Sequence, residues 1–177
     1  MDQTGKDTMT AAIRSFRLPR YEEIPNVGLY LEQTTKYISE YLSPLGDVTI
    51  TASMVSNYVK MGLVASPVKK RYSRERIAYL LFIAVVKTVL SMEDIRLFLD
   101  LQKRTYDCPT AYEYFRTELE NVLQYVFGIK DEVDTVGVDS TDEKIMLRNM
   151  IVTAAHRVYL NKLFAVLRAE TPPTRTE

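Results

Sequence analysis

Apolar residues recur every three or four positions in six segments of the chain, which is the spacing of one face of an α-helix. In the first segment, for example, Leu31, Ile38 and Tyr41 follow this spacing before Pro44 interrupts it. Thr51 is suited to cap the start of the second segment, and Gly62 to end it. The helices are therefore predicted over residues 26–42, 52–61, 74–89, 92–103, 110–127 and 142–168.

The remaining segments predict tails, loops and one short hairpin. Residues 1–17 are predicted to be a flexible tail, and the two prolines of residues 18–25 indicate an extended lead-in. Residues 131–140 form an acidic loop, and residues 170–177 a second tail. Strand is expected only in a short hairpin around residues 65–72. We therefore expect an all-α protein with an amino-terminal domain at 18–104 and a helical extension at 105–169 that contains a long last helix and serves as a dimerisation or effector region.

The third predicted helix is apolar nearly all round, which is typical of a helix at the centre of a core. Tyr79, Phe82, Ile83 and Val86 are expected to be among the most buried residues.

The short helix after Thr51 divides into an apolar half and a polar arc. The arc holds Ser53, Ser56, Asn57 and Lys60 and contains no acidic residue. Such side chains suit base edges and phosphates, since Asn pairs with adenine and Lys reaches guanine or phosphate. The alternative is an ordinary amphipathic helix with one solvated face. The missing acids favour a nucleic-acid surface, because surface helices usually carry both signs of charge.

A basic segment directly follows this helix. Lys69, Lys70, Arg71 and Tyr72 fit a tight hairpin laid along a phosphate backbone, with the tyrosine packed inward or bonded to a phosphate. The alternative is a solvated run of charge. Although the net charge of the chain is zero, residues 49–90 carry seven Lys and Arg against one acid, whereas residues 91–144 carry thirteen acids against six bases. This asymmetry favours contact of the basic third with a polyanion.

Three stretches, residues 50–64, 70–73 and 90–99, together resemble the DNA-binding domain of the mercury-resistance regulator (MerR) family. That family has a recognition helix ending Tyr-x-x-x-Gly-Leu, a wing ending Arg-x-Tyr-Ser, and a following helix opened by Ser-x-x-Glu-Ile. Here Arg71 lies one residue nearer the tyrosine, and Ser56 stands where those regulators often carry an arginine. The whole of residues 18–99 is more similar to a family of uncharacterised bacterial proteins with a MerR-like helix–turn–helix. The positions that match the three MerR motifs are Tyr58, Gly62, Leu63, Tyr72, Ser73, Ser91 and Ile95.

The resemblance implies a winged helix–turn–helix that binds double-stranded DNA as a homodimer, in a bacterial transcription regulator. The recognition helix is then residues 52–61 and the wing residues 65–72. Tyr58 is expected half-buried with its hydroxyl near the DNA backbone. The predicted DNA-binding residues are Ser53, Ser56, Asn57, Tyr58, Lys60, Lys69, Lys70, Arg71, Tyr72 and Arg74.

The sequence predicts no catalytic, metal or cofactor site. With His156 and Cys108 as its single histidine and cysteine, it lacks metal-ligand spacings, and it has no glycine-rich phosphate loop. The longest apolar run, residues 77–90, is shorter than a membrane span and contains Lys87. We therefore expect a cytoplasmic protein without an enzymatic activity.

Two other functions stay open at this stage. One is a protein–protein interaction module that keeps a helix–turn–helix shape and binds through its basic face. The other is a ligand-sensing or enzymatic domain in the helical half, where Tyr106, Tyr112, Tyr114 and Tyr125 cluster in sequence. The sequence identifies no effector.

Overall fold

A computed structural model describes residues 3–137 and 141–170 of the chain. The protein is mostly helical, as predicted, and the described residues contain a single two-stranded sheet. Residues 138–140 of the predicted acidic loop, and all but residue 170 of the predicted second tail, lie outside the described residues. In chain order the elements are α1 Gln3–Arg14, β1 Leu29–Tyr30, α2 Leu31–Leu42, α3 Ala52–Lys60, β2 Arg71–Tyr72, α4 Arg74–Val86, α5 Met92–Thr105, α6 Cys108–Val126 and α7 Asp142–Glu170.

The prediction of a flexible amino-terminal tail is wrong. Residues 3–14 form α1, and Met9, Ile13 and Phe16 are buried in the main core. Met9 and Ile13 lie four residues apart and share one face of α1, and Phe16 follows just after the end of this helix. α1 packs against α6 and α7. The charged and polar residues around this face concealed its apolar spacing in the sequence.

The first predicted helix begins five residues later than expected. Gly28 has a φ of 76° and β1 follows it, so α2 starts only at Leu31. β1 pairs antiparallel with β2, with Leu29 opposite Tyr72 and Tyr30 opposite Arg71. The predicted hairpin therefore gains a strand partner from a distant part of the chain. Only its tip closes on itself, through a bridge between Val68 and Arg71.

The short helix α3 has the predicted ends. The Thr51 hydroxyl accepts a hydrogen bond from the backbone N–H of Met54 at 3.2 Å, as an N-cap should. At the other end Gly62 has a φ of 74°, and the Leu63 N–H bonds the Tyr58 carbonyl at 2.9 Å. This is the Schellman arrangement, which needs a residue that tolerates positive φ.

The central helix of the core is α4. All of its residues from Ile77 to Val86 except Tyr79 are buried. This confirms the prediction for Ile83 and Val86, which are fully buried, whereas Phe82 is buried with 7% of it exposed. Tyr79 is only half-buried, which does not match the prediction, and its hydroxyl donates to Oε1 of the buried Gln102 at 3.3 Å.

The carboxy-terminal helices complete the core. Ser91 and Asp107 cap the starts of α5 and α6 through their side-chain oxygens. α6 and α7 pack extensively on each other, and one continuous hydrophobic cluster includes residues from α1 through α7. The domain boundary at residue 104 stays a prediction.

No helix among residues 3–137 and 141–170 combines the length and the apolar character that crossing a membrane requires.

Candidate nucleic-acid interface

The polar arc of α3 is exposed as a whole. Ser53, Ser56, Asn57 and Lys60, hereafter the α3 polar face, all point to solvent, while Val55 and Tyr58 are buried on the opposite side. Ser56 Oγ donates to the Ala52 carbonyl at 2.9 Å. Asn57 Nδ2 lies 3.4 Å from Met61 Sδ, a weak acceptor. The Asn57 carboxamide thus keeps most of its hydrogen-bonding capacity for an external partner.

Tyr58 is buried on the side of α3 opposite this face. Only 4% of it is exposed, and burial raises the pKa of its hydroxyl. The side chain is therefore more deeply buried than the half-buried position predicted, and a contact of its hydroxyl with the DNA backbone stays a prediction. Its angular position lies at the centre of the apolar half of α3, so α3 uses the whole ring to dock on the core.

Contacts from other helices hold α3 in place. α2 packs against it, and burial of Val55 and Tyr58 fixes its rotation. The Arg96 guanidinium on α5 donates to the Met61 carbonyl at the carboxy-terminal end of α3, where a cation is favourable. Lys87 Nζ lies 3.5 Å from Met54 Sδ. The α3 polar face is thus carried by a helix that is anchored at several points.

The wing, residues 65–72, places two lysines at its tip. Lys69 and Lys70 have φ values of 49° and 63°, both in the left-handed region, and both side chains are exposed. Two successive positive φ values between the bridged residues Val68 and Arg71 are typical of a type I′ hairpin turn, for which Asn and Gly are preferred. Both lysines therefore have a strained backbone conformation, and both place a positive charge at the tip of the turn.

The Arg71 side chain is exposed, but contacts within the protein fix the position of its guanidinium. Its guanidinium lies 4.9 Å from the centroid of the Tyr30 ring and donates to the Val27 carbonyl at 3.3 Å and to the Tyr30 hydroxyl at 3.4 Å. Guanidinium groups stacked on a ring keep their outer N–H groups free to bind a phosphate. The structure therefore presents Arg71 as a preoriented cation.

Tyr72 and Arg74, two further predicted contacts, serve the fold. Tyr72 is buried and pairs through its backbone with Leu29. Arg74 Nε donates to the Ile24 carbonyl at 2.7 Å, and its other nitrogens bind the carboxylate and the carbonyl of Glu22. The DNA contact of both residues stays a prediction; the structure shows Tyr72 buried and the Arg74 guanidinium bound to Ile24 and Glu22.

Sequence reasoning missed Arg76 and Arg96. Arg76 lies at the base of the wing, where Nε donates to the Ala65 carbonyl at 3.1 Å and Nη1 to Ser73 Oγ at 2.9 Å. The Ser73 hydroxyl consequently binds a side chain and not the backbone of α4. Arg76 follows the basic run by five residues, so charge spacing alone could have included it. Nothing in the sequence places Arg96 beside α3.

The other residues with possible chemistry lie elsewhere. Cys108 is buried, and burial raises the pKa of its thiol to about 12. Tyr112 is a core residue whose hydroxyl donates to the Pro19 carbonyl at 2.9 Å. His156 is exposed on α7 and hydrogen-bonds the Val152 carbonyl of the preceding turn. Within the described residues no group of three His, Cys, Asp or Glu side chains is placed to hold a metal ion.

The protein is thus mostly helical, and its candidate interface consists of the α3 polar face, which has no acidic residue, and the basic wing at residues 65–72. A family described as a domain of unknown function (DUF1836) matches residues 19–115, which is more than half of the chain, and the protein belongs to that family. The match contains α3, the wing, α4 and α5, and it ends inside α6. No curated protein and no solved structure matches the chain.

Proposed function

We propose that this protein is a sequence-specific DNA-binding transcription regulator with a MerR-like winged helix–turn–helix. α2 and α3 form the helix–turn–helix, and α3 enters the major groove. The observation that carries the proposal is the α3 polar face: four exposed polar or basic residues without an acid, on a helix whose opposite side is fixed in the core. A rigidly held helix with a face of donors and acceptors is what direct readout of bases requires.

The roles follow from exposure and chemistry. Asn57 and Ser53 contact base edges, with Ser56 beside them. Lys60, Lys69, Lys70 and Arg71 neutralise phosphates, which supplies affinity without sequence information. Tyr58, Tyr72 and Arg74 act only by holding α3 and the wing in place.

A homodimer completes the proposal, because a single recognition helix seldom provides enough affinity and specificity. α7 has 29 residues, and its last buried residue is Val158. Beyond that point Leu160 and Phe164 are 47% and 48% exposed. Met146, Leu160 and Leu167 are separated by multiples of seven residues, and Phe164 follows Leu160 by four, so these apolar residues share one face of α7. The outer face of α7 is therefore the proposed dimer surface.

Two substitutions test the DNA-binding function. Asn57→Ala should cost about 1–3 kcal/mol on the preferred site and little on other sequences, since it removes a base contact. Lys70→Ala should weaken binding to all sequences alike and lower the salt slope of binding by about one, since it removes a phosphate contact. The preferred site comes from sequencing genomic fragments that the purified protein retains, and affinities come from fluorescence anisotropy at several salt concentrations.

Arg74→Ala is the matched control for charge. It removes the same formal charge as Lys70→Ala, but its guanidinium is bound to Ile24 and Glu22. It should therefore lower the melting temperature and leave the salt slope unchanged. A wild-type protein that retains no DNA fragment at low salt would refute the regulator and favour the protein-interaction module.

A further inference from the structure

A cavity of about 160 Å³ lies where the segment between α2 and α3 meets α7. Residues 45, 47 and 48 of that segment line it, together with Thr88 just after the end of α4 and residues 157, 158 and 161 of α7. A cavity of about 10–15 Å³ already holds one water molecule, so this one has room for a small organic molecule. We refer to this feature as the junction cavity.

The junction cavity carries one charge of each sign at its mouth. Asp47 and Arg157 both line it and are both exposed, yet neither forms an ion pair with a described residue. A simple anion in the cavity would be repelled by Asp47, and a simple cation by Arg157. A small ligand that carries both charges would instead be attracted by both side chains.

Lys162 is a further charge near Asp47. Burial lowers the pKa of this half-buried lysine, and the Asp47 carboxylate raises it. The two side chains do not form an ion pair, and Lys162 does not line the junction cavity. The Asp47 carboxylate can therefore accept a closer ammonium group from a ligand.

The deep part of the junction cavity is apolar. Leu45, Val48 and Val158 are each 5% exposed or less. Thr88 and Asn161 are half-buried beside them. The Thr88 hydroxyl donates to the Val85 carbonyl at 2.7 Å and keeps its lone pairs as acceptors. The cavity thus combines an apolar floor, two neutral polar side chains and a mouth with both signs of charge.

We propose that the junction cavity binds a free α-amino acid with a short aliphatic side chain. Arg157 binds the carboxylate of this ligand, in the geometry that a guanidinium offers to a carboxylate, and Asp47 binds its ammonium group. The aliphatic side chain lies on the apolar floor. Thr88 and Asn161 provide further hydrogen bonds to the charged end of the ligand.

The position of the junction cavity makes the bound amino acid an effector of DNA binding. The segment that lines it leads directly to Thr51, the N-cap of α3, and α7 carries the proposed dimer surface. A ligand that contacts both fixes α3 relative to the dimer helix, and two recognition helices must be correctly spaced to reach successive half-sites. This effect rests on the DNA-binding function proposed above, whereas the binding of the amino acid does not.

Free amino acids and their truncated analogues test the ligand chemistry. Alanine, valine, leucine and isoleucine at millimolar concentration are the probes, and at least one should raise the melting temperature, because a ligand stabilises the folded state that it binds. For leucine, 4-methylpentanoate lacks the ammonium group and 3-methylbutylamine lacks the carboxylate. The corresponding analogues of the tightest-binding amino acid should each bind about tenfold more weakly or worse in calorimetric titrations. Equal binding of the analogues, or no binding of any of the four amino acids, would overturn the proposal.

Arg157→Gln and Asp47→Asn test the location of the site. Both residues are exposed, so the melting temperature without ligand should stay close to that of the wild type. Affinity for the amino acid should fall about tenfold or more in each variant. Arg168→Gln changes another exposed arginine of α7, outside the junction cavity, and is the matched control. If all three variants bind the amino acid alike, the ligand does not occupy the junction cavity.

The DNA-binding function and the amino-acid site can fail separately. A wild-type protein that binds an amino acid but no DNA would refute the regulator and keep the junction cavity as a ligand site. A wild-type protein that binds DNA and none of the four amino acids would refute the site alone. Fluorescence anisotropy with and without the amino acid measures the coupling, and an unchanged DNA affinity would remove the effector role.

Discussion

At the scale of single residues, Lys69 and Lys70 show how the wing combines conformation and charge. Both have positive φ, a region that costs a residue with a side chain about 1–3 kcal/mol. Asparagine or glycine would fill such a turn with less strain. The retention of two lysines is consistent with a functional demand for charge at the tip, as the DNA-binding proposal requires.

Lys70→Gly and Lys70→Ala separate strain from charge. Both remove the cation, so both should weaken DNA binding equally. Only glycine relieves the positive φ, so Lys70→Gly should be more stable than Lys70→Ala by about 1 kcal/mol in urea unfolding. Equal stability of the two variants would mean that the turn relaxes freely and holds no strain at Lys70.

The same residues show where sequence reasoning at this scale succeeds and fails. The exposure of Asn57 and Lys60 followed from helical geometry alone. The burial of Tyr58 and the inward orientation of Arg74 did not follow from it, because a tyrosine or an arginine side chain can pack inside the protein or extend into solvent. Partners far along the chain decide the matter, in this case Ile24 and Glu22 for Arg74.

At the scale of elements, α4 is the central helix of the hydrophobic core. Its burial on nearly all sides agrees with its uniformly apolar sequence. Phe82 connects three helices, since its ring centroid lies 5.6 Å from that of Phe98 on α5 and 5.3 Å from that of Phe115 on α6, in an edge-to-face arrangement with the latter. Packing of this kind couples the wing, which leads directly into α4, to the carboxy-terminal helices.

Phe82→Ala should therefore lower the free energy of unfolding by about 3–5 kcal/mol, because it removes apolar contacts and leaves a cavity. Chemical denaturation followed by circular dichroism measures the change. Leu97→Ala, at an exposed position of α5, is the control and should change stability by no more than about 0.5 kcal/mol. A similar small change for both variants would contradict the central position of Phe82.

The wing shows the limit of sequence reasoning for an element. Its basic residues and its tip were predictable from local composition, but its strand partner was not. β1 contributes only two residues, Leu29 and Tyr30, and strands this short carry no alternation to detect. The pairing of residues 29–30 with the wing could consequently not be predicted from the sequence.

At the scale of the whole molecule, α7 reaches beyond the core that it helps to form. Its middle part buries Leu147, Ile151 and Val158, whereas its carboxy-terminal part leaves apolar residues in solvent. A long helix with an uncovered apolar stripe is costly in a monomer. This is the physical reason for the proposed dimer.

Sedimentation at micromolar concentration should therefore give about twice the chain mass of 20.4 kDa. Replacing both Leu160 and Phe164 by Glu should give a monomer that binds single half-sites weakly, because like charges then meet across the seam. Leu97→Glu should leave the dimer intact. A wild-type protein that is monomeric while it binds DNA would remove this role for α7.

By itself the sequence determined the presence of the helices α2 to α7, the caps of α3, the N-cap of α5, the central place of α4 and the polar face of α3. These features depend on local geometry, on periodicity and on hydrogen bonds within a few residues. Only the tertiary structure decided that residues 3–14 join the core, that Arg74 faces inward and that the turn at residues 26–30 meets the wing. Each of these depends on contacts between segments far apart in the chain, and the energies of such contacts arise only once the chain is folded.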